Sequence, residues 1–244
     1  MPHLPRIALN KVFHIGTLDP ADLGRNSGQS SLEGMCLSVS LCPNAWQEIA
    51  SLGGYPLHVL CKEGATFIDV QETRNLGLMP AVIQWGVERG LAVETELWRA
   101  WQYDEEAGEW TWSLFETKED AAEELEFFLG EGEELSAPSG HEAVEPMMVP
   151  VATRQLQETT GMALRRSDDA SDALLLAYGM LETDADGVWW NEEFRPEQLS
   201  APRGGIFPDK VPSWSTEPIS FNDVDDETEI TAGLEDNKVV HFAP

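Results

Sequence analysis

The run Phe13-His14-Ile15-Gly16-Thr17 places one histidine at the end of an apolar stretch, close to a glycine. A second run, Glu33-Gly34-Met35-Cys36-Leu37-Ser38-Val39-Ser40, ends with small hydroxyl side chains that alternate with apolar ones. Period-two alternation is typical of a β-strand, and the glycine lets a ligand approach the backbone closely. The two runs predict neighbouring strand ends whose polar pocket is formed by His14, Ser38 and Ser40.

Glycines and prolines mark the other elements of the N-terminal half. Pro43 and Pro80 stand where proline favours the first turn of a helix, and glycines follow both segments. Gly16 ends the first strand and opens a polar loop at 18–33. The expected elements are strands at 5–15 and 35–40, a helix from Pro43 to Gly53, a hairpin of Leu57–Leu60 with Thr66–Val70, and a helix from Pro80 to about Glu88.

An aromatic hairpin follows at residues 98–115. Trp98–Tyr103 and Glu109–Phe115 both alternate with a period of two and carry an unusual load of tryptophan, which favours strands. We expect one tryptophan-rich face of this hairpin to be buried. Thr117 then has the side chain to cap a helix that runs to Leu129.

The C-terminal half has weaker signals. Residues 130–150 lack periodicity and predict a linker, and helices are expected at about 151–164 and 168–181, the second capped by Ser167. The Trp-, Pro- and Gly-rich segment 187–215 is expected to wrap a surface without regular structure. The acidic segment 217–236 is expected to be disordered, with Val239–Phe242 as a small apolar anchor.

These elements predict an α+β protein with an N-terminal mixed or antiparallel sheet and flanking helices. The expected organisation is a domain at 1–129, a linker at 130–150, a smaller helical region at 151–216 and an acidic tail at 217–244.

The charge is strongly negative and unevenly distributed. The chain has 44 acidic and 15 basic residues, a net charge of −29, and residues 101–150 alone hold 15 acids and one base. Such an excess repels phosphate backbones and anionic membranes and favours a basic partner. A solvated surface and a mimic of nucleic acid, with carboxylates in place of phosphates, are both compatible with it.

Other classes of protein are poorly supported. Three cysteines, an odd number without a Cys-x-x-Cys pair, favour free thiols in a reducing compartment. The five histidines are scattered, so no metal site is expected. No long apolar run predicts a membrane span, and no segment reads as a signal peptide. We therefore expect a cytoplasmic protein.

The strand that ends in His-x-Gly-Thr, followed by a Leu-Ser-x-Ser strand and a helix with an aromatic residue, resembles the core of ADP-ribosyltransferases of the His–Tyr–Glu type. The resemblance implies an NAD site in which His14, with Gly16 and Thr17 beside it, holds the ribose on the nicotinamide side. It also implies a stacking aromatic, Trp46 or Tyr55, and a catalytic glutamate. Glu116 is the first choice for that glutamate, with Glu94 and Glu96 behind it.

Two functional hypotheses follow. The first is an intracellular NAD-dependent ADP-ribosyltransferase-like enzyme that modifies a protein or a nucleic acid. The resemblance links such enzymes to toxins, their antitoxins and phage defence. The second is a non-enzymatic acidic binding protein, either an inhibitor or a mimic of nucleic acid, that docks a basic protein partner.

Overall fold

The computed structural model describes residues 2–18, 34–104, 108–128 and 136–235 and shows a mixed α+β protein. It confirms the coarse fold class predicted from the sequence. Residues 19–33 of the expected polar loop, the hairpin tip at 105–107, residues 130–135 of the expected linker and the apolar segment Val239–Phe242 lie outside the described residues.

Two β-sheets are present in the described ranges, one of eight strands and one of three. The larger sheet contains β1 (Arg6–Ala8), β2 (Lys11–Ile15), β3 (Leu37–Ser40), β4 (Leu57–Cys61), β5 (Thr66–Asp69), β9 (Gly187–Trp190), β10 (Arg203–Ile206) and β11 (Ser215–Ile219). The smaller sheet contains β6 (Ala92–Asp104), β7 (Glu109–Phe115) and β8 (Val144–Ala152).

Helices pack on both sheets. They are α1 (Pro43–Ile49), α2 (Val70–Asn75), α3 (Met79–Glu88), α4 (Lys118–Phe128), α5 (Arg154–Thr160), α6 (Ser171–Glu182) and α7 (Asp226–Glu235). Short 3-10 turns lie at Pro196–Gln198, Val211–Ser213 and Phe221–Asp223.

The large sheet folds back on itself. Its strand order is β1-β5-β9-β10-β3-β2-β4-β11, so β1 lies at one edge although only two residues separate it from β2, near the other edge. The backbone amide of Leu9 donates to the carbonyl of Ala65 at 3.1 Å, and that of Lys62 donates to Asn10 at 2.9 Å. These bonds hold the β1–β2 and β4–β5 connections together, which brings the two halves of the sheet face to face.

The two halves enclose an apolar interior. Ile7, Phe67 and Trp189 come from the β1–β5–β9 half, and Val12 and Leu60 come from the β2–β4 half. Phe67 lies between Trp189 and Trp214, with ring centroids 5.9 Å away in both cases. Burial of each such side chain stabilises the fold by roughly 1.5–3 kcal/mol.

A helical layer covers the outside of the β1–β5–β9 half. The helix α6 is apolar nearly all round, with Ala173–Gly179 buried, because it lies between the sheet and α3. Close packing of these helices depends on Gly86, where an added Cβ would come within 2.3 Å of a Leu174 methyl group.

The small sheet confirms the pairing of the aromatic hairpin, but the expected burial of a tryptophan-rich face is wrong, since Trp112 is 40% exposed. The strands β6 and β7 pair antiparallel with Trp101 opposite Trp112 and Tyr103 opposite Trp110. The helix α4 follows, and Thr117 caps it by accepting a hydrogen bond from the Asp120 amide at 3.1 Å. The expected linker at 130–150 is wrong from residue 144 onward, because β8 pairs along β6 there.

The hairpin expected between Leu57–Leu60 and Thr66–Val70 is also wrong. The strand β4 pairs with β2 and β11, whereas β5 pairs with β1 and runs parallel to β9. The turn predicted at Glu63-Gly64 is present. However, the chain crosses there from one half of the folded sheet to the other.

The C-terminal half contributes to the core of the large sheet. The segment expected to wrap a surface contains β9 and β10, two central strands, and all four residues of β9 are buried. The acidic segment expected to be disordered forms the edge strand β11 and the helix α7. Ser167 does not cap α6, whose preceding residue is Ala170. The large sheet therefore crosses the expected boundaries at 129, 150 and 216.

Candidate functional site

His14 lies on β2 between β3 and β4 and is 9% exposed. Its side chain projects on the same face as Val12, into the interior between the two halves of the sheet. Nδ1 is 2.8 Å from the carbonyl oxygen of Ser38, and Nε2 is 3.1 Å from that of Thr17. Both ring nitrogens are thus engaged with main-chain carbonyls of the protein itself.

Burial sets the protonation of His14. It lowers the pKa of the ring below 6.5, although the two carbonyl contacts act in the opposite direction. A neutral imidazole has one N–H, so it donates to one of the two carbonyls. His58 lies directly opposite on β4, with the rings stacked 6.4 Å apart. The arrangement describes a histidine that joins β2, β3 and the chain after Ile15.

Gly16 is required by this arrangement. Its φ of +138° is a conformation that side chains rarely adopt, and an added Cβ would lie 3.0 Å from Nε2 of His14. The Gly16 amide donates to the Pro56 carbonyl at 2.9 Å. The glycine beside the histidine lets the chain turn so that the Thr17 carbonyl faces the ring.

Ser38 and Ser40 do not join His14 in a pocket, so that prediction is wrong. Ser40 is directly opposite Phe13, and directly opposite residues project on the same face of a sheet. Since side chains alternate along a strand, His14 projects on the other face from both serines. The alternation in Leu37–Ser40 correctly indicated a strand. It did not show how this strand is aligned with β2, and that alignment decides which side chains share a face with His14.

Ser40 has a structural role at the start of α1. Its hydroxyl accepts a hydrogen bond from the Cys42 amide at 3.0 Å. Cys42 and Cys36 are buried thiols, as expected. Burial raises the pKa of the Cys42 thiol to about 12, so this sulfur is not a nucleophile at neutral pH.

The proposed stacking residues occupy different settings. Trp46 on α1 lies under the Arg203 guanidinium, 5.2 Å from the ring centroid, and its indole N–H faces the Pro202 carbonyl at 3.4 Å. Tyr55 is 49% exposed on the connection before β4. Trp46 and Ser40 lie on the α1 side of the sheet, away from the ring of His14.

The three candidate glutamates belong to the small sheet. Glu94 and Glu96 are exposed residues of β6, opposite Pro150 and Met148 on β8. Glu116 is exposed directly after β7. The groups that contact His14 all come from the large sheet and its connections, so the structure does not assemble a histidine–glutamate pair from these residues.

A polar cluster on the small sheet was missed by sequence reasoning. One carboxylate oxygen of Glu145 on β8 accepts hydrogen bonds from the Arg99 guanidinium, from the Trp101 indole at 3.0 Å and from Nδ1 of His141 at 2.9 Å. These bonds, led by the indole and the guanidinium, lower the pKa of Glu145 to about 2. The cluster was missed because β8 was not predicted. Proline is rare within strands, so Pro146 and Pro150 argued against a strand in this nine-residue segment.

No group of three or more His, Cys, Asp or Glu side chains suited to a metal ion occurs among the residues the structure describes. In the same ranges, every helix is too short or too polar to cross a membrane. No protein-family model, curated protein or solved structure matches the chain.

Proposed function

We propose that this protein is an acidic binding protein that docks a basic protein partner. The observation that carries the proposal is the charge of residues 92–152, which include the small sheet and α4. They contain 17 acids and two bases, Arg99 and Lys118. Arg99 is paired with Glu145, and Lys118 lies 5.4 Å from the ring centroid of Trp98. Both cations thus contact side chains of the small sheet itself, so carboxylates dominate the remaining charged surface of residues 92–152.

The helix α4 presents part of that surface as a ridge. Glu119, Asp120, Glu123 and Glu126 are exposed along it, while Ala121 and Leu125 face the sheet. Residues four apart on a helix are separated by about 6 Å along its axis. A short, continuous row of carboxylates is the arrangement expected of a surface that attracts cationic groups at long range.

Binding to poly-L-lysine and poly-L-arginine, with poly-L-glutamate as the control, tests this function. We expect both basic polymers to bind at low salt and to be released as the ionic strength rises, because exposed charges are screened. A chain with Glu119, Glu123 and Glu126 changed to Gln should bind both polymers more weakly. Absence of binding to either basic polymer at low salt would contradict the proposal.

A second candidate is the NAD-dependent transferase implied by the resemblance. It is favoured by one observation: the histidine strand β2 and the serine strand β3 are neighbours in the sheet, and β3 leads into α1 with Trp46. In this reaction the bond between the ribose and nicotinamide breaks, and the acceptor's nucleophile bonds to the ribose carbon as its proton leaves. A glutamate such as Glu116 would stabilise the oxocarbenium-like charge.

Release of nicotinamide from labelled NAD distinguishes the two candidates. The transferase requires release that Glu116→Gln abolishes while the variant keeps the unfolding temperature of the parent chain. Glu116 is exposed, so its substitution leaves the core intact. No release by the parent chain, with or without a cell lysate as the source of acceptor, would remove this candidate. From the odd number of cysteines and the lack of a Cys-x-x-Cys pair, we propose a cytoplasmic location for either function.

A further inference from the structure

One face of the small sheet carries aromatic side chains that the fold does not bury. Cross-strand pairs place Arg99, Trp101 and Tyr103 of β6 on the same face as Trp112 and Trp110 of β7. We call these five residues the aromatic face. The helix α4 packs on the opposite face of the sheet, where Ala100, Ala121 and Leu125 are buried.

The exposure of the aromatic face is high for such side chains. Tyr103 is 51% exposed and Trp112 is 40% exposed, and Trp101 and Trp110 are partly exposed beside them. Large apolar side chains that lie side by side and open to solvent mark interaction sites. Trp and Tyr are also the residues that most often dominate binding energy at protein interfaces.

The face is held in position before any partner arrives. Glu145 fixes the Arg99 guanidinium and the Trp101 indole through one carboxylate oxygen. Tyr103 lies against Trp110, with ring centroids 5.2 Å apart. Side chains that are already ordered lose little conformational entropy on binding, which favours affinity.

We propose that the aromatic face docks an arginine-rich segment of a partner protein. The internal pair shows the contact: the Arg99 guanidinium lies 4.4 Å from the ring centroid of Trp101. A planar guanidinium stacks on an aromatic ring better than a compact ammonium does. The same guanidinium lies 6.0 Å from the ring centroid of Trp112. The exposed rings of Trp112 and Tyr103 can accept further guanidinium groups in the same way.

Charge selects this occupant over a second copy of the chain. The net charge of −29 makes two copies repel each other. The part of the chain that carries the face is also strongly acidic, since residues 92–152 hold 17 acids and two bases. An arginine-rich segment complements both the rings and the surrounding carboxylates.

This inference rests on the proposed function. It places the close contact with the partner, and the choice of cation, on the aromatic face, whereas the ridge of α4 on the other side of the sheet acts through its charge at long range. The test compares a short arginine peptide with a lysine peptide of equal length, using the full chain and two variants. Trp112→Ala removes an exposed ring of the aromatic face. Phe127→Ala removes a ring that is 81% exposed on α4, on the opposite side of the sheet, and serves as the matched control.

We expect the parent chain and Phe127→Ala to bind the arginine peptide equally and more tightly than the lysine peptide. Trp112→Ala should lose about tenfold in affinity, equivalent to about 1.4 kcal/mol. Equal binding by Trp112→Ala and the parent chain would overturn the site and leave the proposed function standing. Equal binding of the two peptides by the parent chain would overturn the preference for arginine. Failure to bind either peptide would contradict the proposed function itself.

Discussion

The two sheets of this protein treat their aromatic residues in opposite ways. In the folded eight-stranded sheet, Phe67 and Trp189 lie fully buried between the two halves, and His14 contacts carbonyls of its own chain. In the three-stranded sheet, α4 covers one face of the β6–β7 hairpin, and Trp112 and Tyr103 on the other face are exposed among the residues that the structure describes.

This difference assigns the two sheets different roles: the large sheet contributes mainly to stability, and the exposed face of the small sheet is available for binding. A closed sheet uses its side chains to exclude water, so the residues most prominent in the sequence, His14 and Gly16, have structural roles there. An open face with ordered aromatics contributes less to folding and remains available to a partner. Each prediction below tests whether the two regions differ in this way.

The largest expected effect is on the closed sheet. Deletion of residues 217–244 removes most of β11, and with it Ile219 and Val224, which pack against Phe13 and Leu57. We expect a loss on the order of 5 kcal/mol in the free energy of unfolding, measured by denaturant titration.

The control for this deletion keeps the segment and removes charge. Glu217 and Glu227 are exposed, so the double variant Glu217→Gln/Glu227→Gln should unfold within about 0.5 kcal/mol of the parent chain. If the deletion were equally harmless, the C-terminal segment would be an appendage as the sequence suggested, and the account of the large sheet would be wrong.

The next effect compares the two faces of the small sheet. Leu125→Ala, on the covered face, should cost about 2–5 kcal/mol because it leaves a cavity against Ala100. Trp112→Ala, on the aromatic face, should cost about 1 kcal/mol or less, since its ring is already 40% exposed. Thermal unfolding of both variants checks this order. A larger loss for Trp112→Ala would make the aromatic face a core surface, as the sequence predicted.

A smaller effect is expected where α7 supports α1. Asp226 accepts hydrogen bonds from the backbone amides of Asn44 at 3.2 Å and Ala45 at 2.8 Å, which are 182 and 181 residues away in the chain, so it caps the start of α1. Asp226→Ala should lower the free energy of unfolding by about 1–2 kcal/mol. The nearby Asp223→Ala, at an exposed position, is the comparison. Equal effects of both variants would contradict the capping role.

The smallest expected effect is pH-dependent and concerns Glu145. Its pKa is about 2 in the folded protein and 4.5 ordinarily, so the stability linked to its charge is present above pH 4.5 and declines as the pH falls toward 2. The difference in unfolding free energy between the parent chain and Glu145→Gln should therefore shrink over that interval. A difference that stays constant with pH would show that the cluster does not depend on the charge of Glu145.

Local signals in the sequence were sufficient for elements that form from neighbouring residues. Alternation identified the hairpin of β6 and β7, Pro43 marked the first turn of α1, and Thr117 marked the cap of α4. These features depend on contacts within a few residues, which the sequence displays directly.

Features that depend on distant residues were not predictable in this way. The strand β9 is buried throughout, so it lacks the alternation that identifies a strand with one wet face. The pairing register between β2 and β3 places Ser40 directly across from Phe13. Ser40 and His14 therefore project from different faces of the sheet. This register is determined by the packing of the whole sheet, which no short stretch of sequence shows. The acids of 217–236 suggested disorder because their partners, such as Lys11 for Glu229, lie far away in the sequence.

The most direct test of the account is amide hydrogen exchange of the full chain with and without the short arginine peptide. The central claim is that binding occurs on the aromatic face while the interior around His14 remains structural. We expect the peptide to slow exchange in β6 and β7 and to leave β2 and β3 unchanged. Protection confined to β2 and β3, with none in β6 and β7, would contradict the account.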